Sequence, residues 1–134
     1  MKRWLQVGFL ILCLMACGCS INDPRKTAQT DISLTIENSR LTPGRWIVPA
    51  GEMIHLSIQN PQGDLHDLVI LKGEALGETD PNISQNQYWV YSLQNKLTNV
   101  FFKAPASPGE YRIVCSLDGH EAKGEQGILV VVIP

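Results

Sequence analysis

The chain has 134 residues, 44% of them hydrophobic and 18% charged, with a formal net charge of −2. That length allows one domain with a real core. The basic residues form no run, which excludes the usual footprint of a nucleic-acid binder. Past residue 15 no apolar stretch approaches the roughly 20 residues that a membrane-spanning helix needs.

Lys2 and Arg3 precede an almost unbroken apolar stretch from Leu5 to Met15, the layout of a secretory signal. Leu14-Met15-Ala16-Cys17 closes it and resembles the lipobox of bacterial lipoproteins. In that family the cysteine thiol takes a diacylglycerol and becomes the new N-terminus. Residues 1–16 are therefore expected to be a lipoprotein signal peptide, with Cys17 as the lipidated residue. Cys19 fits less well, because Ala16 would stand where leucine is preferred. Residues 17–30 are polar, with one proline and few apolar side chains, and are expected to be a flexible tether. The expected location is the outer face of a bacterial membrane, periplasmic or at the cell surface.

Residues 31–134 are expected to form an all-β domain. Residues 31–38 alternate, with Ile32, Leu34 and Ile36 on one face. A Thr42-Pro43-Gly44 turn leads to a short strand over 45–49. Residues 52–60 alternate again, with Ile54, Leu56 and Ile58 inward and His55 out of phase, so His55 is given no role. Residues 66–72 are more uniformly apolar, as a central sandwich strand would be. Residues 73–86 are rich in Gly, Glu, Asp and Asn and are expected to be a loop. Gln87 to Leu93 fits either a strand or the end of that loop. Strands are expected over 97–104, 110–115 and 127–133, with a Pro105–Gly109 turn. Short strands separated by Gly, Pro and Asn turns predict a Greek-key β-sandwich.

Cys115 is the only cysteine of the domain, so an intradomain disulfide is excluded and the lone thiol needs another reason. His120 follows it by five residues, Glu125 follows His120 by five, and His66 opens a strand elsewhere. One thiolate and two imidazoles are what a mononuclear type-1 copper site needs. The thiolate suits Cu(I), the imidazoles suit both oxidation states, and a rigid sandwich keeps the geometry fixed between them.

The segment PGEYRIVCSLDGHEAKGEQGILVV, with the upstream WIVPAGEMIHLSIQN and HDLVI, resembles the cupredoxins, the plastocyanin and azurin family. The resemblance covers residues 31–134. It implies that His66, Cys115 and His120 bind one copper, cycling between Cu(I) and Cu(II). It implies single-electron transport rather than enzymatic turnover. Electrons would leave through the exposed edge of His120 to a redox partner such as a cytochrome, an oxidase or a reductase. A monomer is expected.

Two positions depart from the family. Asp67 stands where asparagine is common after the first histidine, and it is expected to accept a hydrogen bond from Ser116. Glu125 stands where relatives carry the weak axial methionine, and the domain's one methionine is Met53 in an early strand. The axial donor is therefore the Glu125 carboxylate, the Gln126 amide or nothing. Gly119 excludes the binuclear copper site of cytochrome oxidase subunit II, which needs cysteine there. With His55, His66 and His120 as its histidines, the chain also lacks the ligands for the catalytic copper of a multicopper oxidase or a copper nitrite reductase. A copper chaperone, store or sensor remains the alternative function.

Overall fold

A computed structural model describes residues 27–73 and 81–134; the expected signal peptide, Cys17 and Cys19 lie outside them. No α-helix occurs among the described residues. The described residues form nine strands in two sheets. In the four-stranded sheet, β1 (Asp31–Ile36) lies between β2 (Leu41–Thr42) and β4 (Met53–Gln59), and β7 (Leu97–Lys103) flanks β4. The five-stranded sheet runs β3 (Arg45–Pro49), β9 (Gln126–Val132), β8 (Gly109–Val114), β5 (His66–Leu71) and β6 (Gln87–Leu93). β1 pairs with β4, and β3 with β9, in parallel; the other pairs are antiparallel. This is the expected all-β sandwich.

Its core follows from the alternation. Leu34, Ile36, Ile54, Leu56 and Ile58 of one sheet meet Val48, Leu68, Ile70, Ile113 and Leu129 of the other, all essentially inaccessible to water. Each such Leu, Ile or Val contributes about 1.5–3 kcal/mol by burial. A smaller cluster, Val69, Leu71 and Val114 with Ile83 against it, covers the other face of the five-stranded sheet. That second layer explains why β5 is apolar on both faces.

Two differences from the sequence reading, and one alternative it left open, have simple causes. β2, paired through Thr35–Thr42 and Ile36–Leu41, is two residues long and too short to show a period. Gln87–Leu93 is a strand at the sheet edge; its outward Tyr88 and Val90 are apolar too, which hides the alternation with Trp89 and Tyr91. Gln29 and Thr30, the end of the expected tether, are already bonded to the fold: Gln29 N–H donates to Ile47 O at 2.8 Å, and Thr30 O accepts from His55 N–H at 2.7 Å. His55 does lie off the core, half-buried, stacked on Phe101 and 3.2 Å from both Asp31 and Asn99.

Three chain ends converge at one rim of the five-stranded sheet. β8 pairs antiparallel with β5 (Val114 with Val69) and with β9 (Val114 with Gln126). The end of β8 therefore meets the starts of β5 and β9, where Cys115, His66 and Glu125 stand. Gly127 fixes the last of these. A Cβ there would lie 2.7 Å from Gly44 O, and Ile128 N–H donates to that same oxygen at 2.9 Å. No side chain fits at 127 unless the 43–44 turn moves away.

Candidate metal centre

Cys115 leaves β8 and enters a loop of successive turns that ends at Glu125. Cys115 N–H donates to Glu125 O at 3.1 Å and closes the loop at its base. Within it His120 N–H donates to Leu117 O at 3.0 Å, and His120 O accepts from Lys123 N–H at 3.2 Å and Glu125 N–H at 3.1 Å. Gly119, at φ +75°, takes the left-handed conformation that this tight path requires. His66 is set by the loop before β5. There Asn60, fully buried, donates from Nδ2 to Asp64 O at 2.7 Å and accepts from Gly63 N–H at 3.2 Å.

The fold brings all four sequence-predicted ligands together. One donor atom from each of His66, Cys115, His120 and Glu125 lies within 4.8 Å of every other. Cys115 Sγ is 3.5 Å from His120 Nδ1, which is 3.0 Å from Glu125 Oε2. Glu125 Oε1 is 2.7 Å from His66 Nδ1. His66, Cys115 and Glu125 are buried, whereas the His120 side chain keeps 22% of its surface exposed. Of the two axial candidates, Gln126 faces solvent and Glu125 is 1% exposed.

The donors fit a metal ion for a physical reason. His66 Nε2 is buried without a hydrogen-bond partner, and His66 Nδ1 and Glu125 Oε1, 2.7 Å apart, have only each other without hydrogen-bond geometry between them. Such atoms carry a desolvation cost that something must offset. A cation at their point of convergence would satisfy the carboxylate and one nitrogen of each ring at once.

Burial pushes the Cys115 thiol up from 9.0 to about 12. The backbone N–H groups of Asp67 and Leu117 pull it the other way, and the Glu125 carboxylate adds to the rise. At neutral pH the metal-free site therefore holds a thiol, and binding a metal there releases its proton. The metal-free fold binds this proton more tightly than the unfolded chain does. The resulting stability is complete below pH 9 and is lost as pH rises towards about 12. Urea unfolding of the metal-free protein at pH 8 and pH 11 should show a larger alkaline loss in wild type than in Cys115→Ser. Equal losses would contradict the shift.

The expected hydrogen bond between Ser116 and Asp67 also forms. Ser116 Oγ donates to Asp67 Oδ2 at 2.7 Å, and Asp67 N–H points to Cys115 Sγ at 3.4 Å. Asp67 thus ties the His66 strand to the Cys115 loop. The sequence reading missed its third partner: Ser92 Oγ of β6 donates to Asp67 Oδ1 at 2.6 Å. A carboxylate offers one oxygen to each hydroxyl, where an amide offers a single acceptor oxygen. No local signal marks Ser92; only the pairing of β6 with β5 brings Ser92 opposite Asp67.

A family profile described as the cupredoxin-like domain matches residues 7–131. The chain is a cupredoxin. Among solved structures, dithionite-reduced auracyanin from the photosynthetic bacterium Roseiflexus castenholzii is similar at 25% identity and a TM-score of 0.64, over 78% of this chain and 98% of that one. Auracyanin A of Chloroflexus aurantiacus, described as a blue copper protein, aligns at 21% identity and a TM-score of 0.61, over 76% and 98%. Reduced rusticyanin shares the fold at 18% identity and a TM-score of 0.52, over 78% and 81%. Among curated proteins none matches the chain. In this cupredoxin the rim that carries the four donors is therefore a possible metal site on a fold shared with copper proteins.

Proposed function

We propose that this cupredoxin is a membrane-tethered, extracytoplasmic carrier of single electrons, holding one copper through His66, Cys115, His120 and Glu125. The observation that carries this reading is the convergence of those four donors, within 4.8 Å of one another, at one rim of the sandwich. The copper supplies the one-electron couple. The protein supplies the rest. Three buried donors exclude water. The sandwich holds every donor on a strand end or a closed loop, so little needs to move between oxidation states. His120, the most exposed of the four, gives an edge through which a docked redox protein couples to the site. The function is transport rather than catalysis, because four protein donors leave no open position for a substrate.

Cyclic voltammetry and self-exchange measurements on the copper-loaded protein test the carrier reading. A reversible one-electron wave with fast self-exchange is expected. One observation favours the second reading, a copper chaperone, store or sensor: a buried carboxylate stands where the family resemblance implies a neutral thioether. Slow exchange, with copper passing readily to a metal-free acceptor, would favour that reading and overturn the carrier.

The tether is tested separately. Expressed in a bacterium, the protein should fractionate with membranes and incorporate labelled fatty acid, and Cys17→Ala should lose the label. Unchanged labelling in that variant would move the anchor to Cys19. No labelling of wild type would reject the anchor.

A further inference from the structure

We infer that Arg112 and Glu121 form a clamp that holds His120 in position against Cys115 before any metal arrives; the inference rests on the reading of these residues as metal ligands. Arg112 lies on β8, three residues before Cys115, and Glu121 is the residue after His120. Ile113 points into the main core, so Arg112 and Val114 face the other side of the sheet, over which the ligand loop turns back. There the Arg112 guanidinium donates to the Glu121 carboxylate. The Glu121 side chain is 10% exposed, which is unusual for a carboxylate that is not a ligand.

The placement gives the pair a specific effect. β8 is hydrogen-bonded on both sides, to β5 and to β9, and is the central strand of this sheet. It ends in the thiol and, one turn of the loop later, grips the histidine's neighbour. A single strand thus carries one ligand and the anchor of another. Around the clamp the loop is held by its own hydrogen bonds: Gly124 N–H to Glu121 O at 2.8 Å, Lys123 N–H to Gly119 O at 3.3 Å, and Glu125 N–H to His120 O at 3.1 Å. Releasing Glu121 frees the turn on which both His120 and Glu125 depend. The bond is partly buried, with Arg112 38% and Glu121 10% exposed, and a charge-assisted bond of this kind is worth more than a fully exposed one. The same sheet supplies the comparison, because Arg45 and Glu110 pair at 2.8 Å with both side chains more than half exposed.

The test uses the full chain in detergent, with Arg112→Gln, Glu121→Gln, the double variant and Glu110→Gln as control. Hydrogen exchange of the metal-free protein reads the loop directly. The amides of Lys123, Gly124 and Glu125 should exchange faster, on the order of tenfold, in both single variants, the equivalent of one lost charge-assisted hydrogen bond. Cu(II) affinity, measured by competition with a chelator, should fall about 10–100-fold, as for other groups that orient a metal's ligands. The double variant should stay as weak as the singles, and Glu110→Gln should match wild type in both measurements. Glu121→Asp keeps the charge but shortens the reach. It should fold like wild type and still exchange faster, which separates positioning from loss of the fold.

Exchange and affinity equal to the Glu110→Gln control would overturn the clamp. So would opposite affinity changes in the two single variants with recovery in the double, since that pattern reports charge alone. If wild type binds no Cu(II) while the exchange differences persist, the metal reading fails and the clamp stands.

Discussion

Glu125→Met is expected to raise the reduction potential of the copper-loaded protein by on the order of 0.2 V. Glu125 is the most unusual donor in the site: a carboxylate, 1% exposed, facing both histidines. An ionised carboxylate is a hard anionic donor and favours Cu(II), whereas a thioether is neutral and leaves Cu(I) favoured. Two unit charges ~4 Å apart interact by about 4 kcal/mol at an effective dielectric of ~20. For a one-electron couple that converts to the shift given above, at ~59 mV per factor of ten. A stronger axial donor should also weaken the thiolate bond, so the wild-type spectrum should lie towards green or red and Glu125→Met should restore a bluer site. Glu125→Gln should fall between. Gln126→Ala should change little, because Gln126 faces solvent. An unchanged potential and spectrum in Glu125→Met would remove the carboxylate from the coordination sphere. A large change in Gln126→Ala would transfer the role there.

Cys115→Ser is expected to have the largest effect on binding. The thiolate is the one soft donor in the site, and the described residues hold no other free cysteine. A serine hydroxyl in its place is a hard, neutral donor and does not ionise at neutral pH. The Cu(I) form should lose most, because Cu(I) depends on the soft ligand. The sulfur-to-copper charge-transfer band should disappear entirely, since its donor orbital is gone. Fold should be retained, because serine is slightly smaller and Cys115 sits at a strand end. Retention of the band in Cys115→Ser, with circular dichroism unchanged, would show that another residue ligates.

Much of this molecule is legible in its sequence, for identifiable reasons. Strands that bury one face, such as 31–36 and 53–59, write that burial as alternation. β5 is buried on both faces and reads as a continuous apolar run. The site is legible because Cys115, His120 and Glu125 share one loop, where spacing in sequence constrains spacing in space. His66 could be placed through the family resemblance, as could the Asp67–Ser116 bond. What escapes is non-local and carried by common residue types. Ser92 meets Asp67 only through the pairing of β6 with β5. Arg112 and Glu121 look like two surface charges until the loop folds back across β8. The need for glycine at 127 comes from the backbone of Gly44, far off in sequence.

Cys115, with the two histidines and Glu125, is proposed to hold a single redox-active copper. The visible and EPR spectrum of the copper-loaded protein tests it most directly. One Cu(II) per chain with an intense sulfur-to-copper charge-transfer band is the predicted result. A protein that takes up stoichiometric Cu(II) and stays colourless would contradict it.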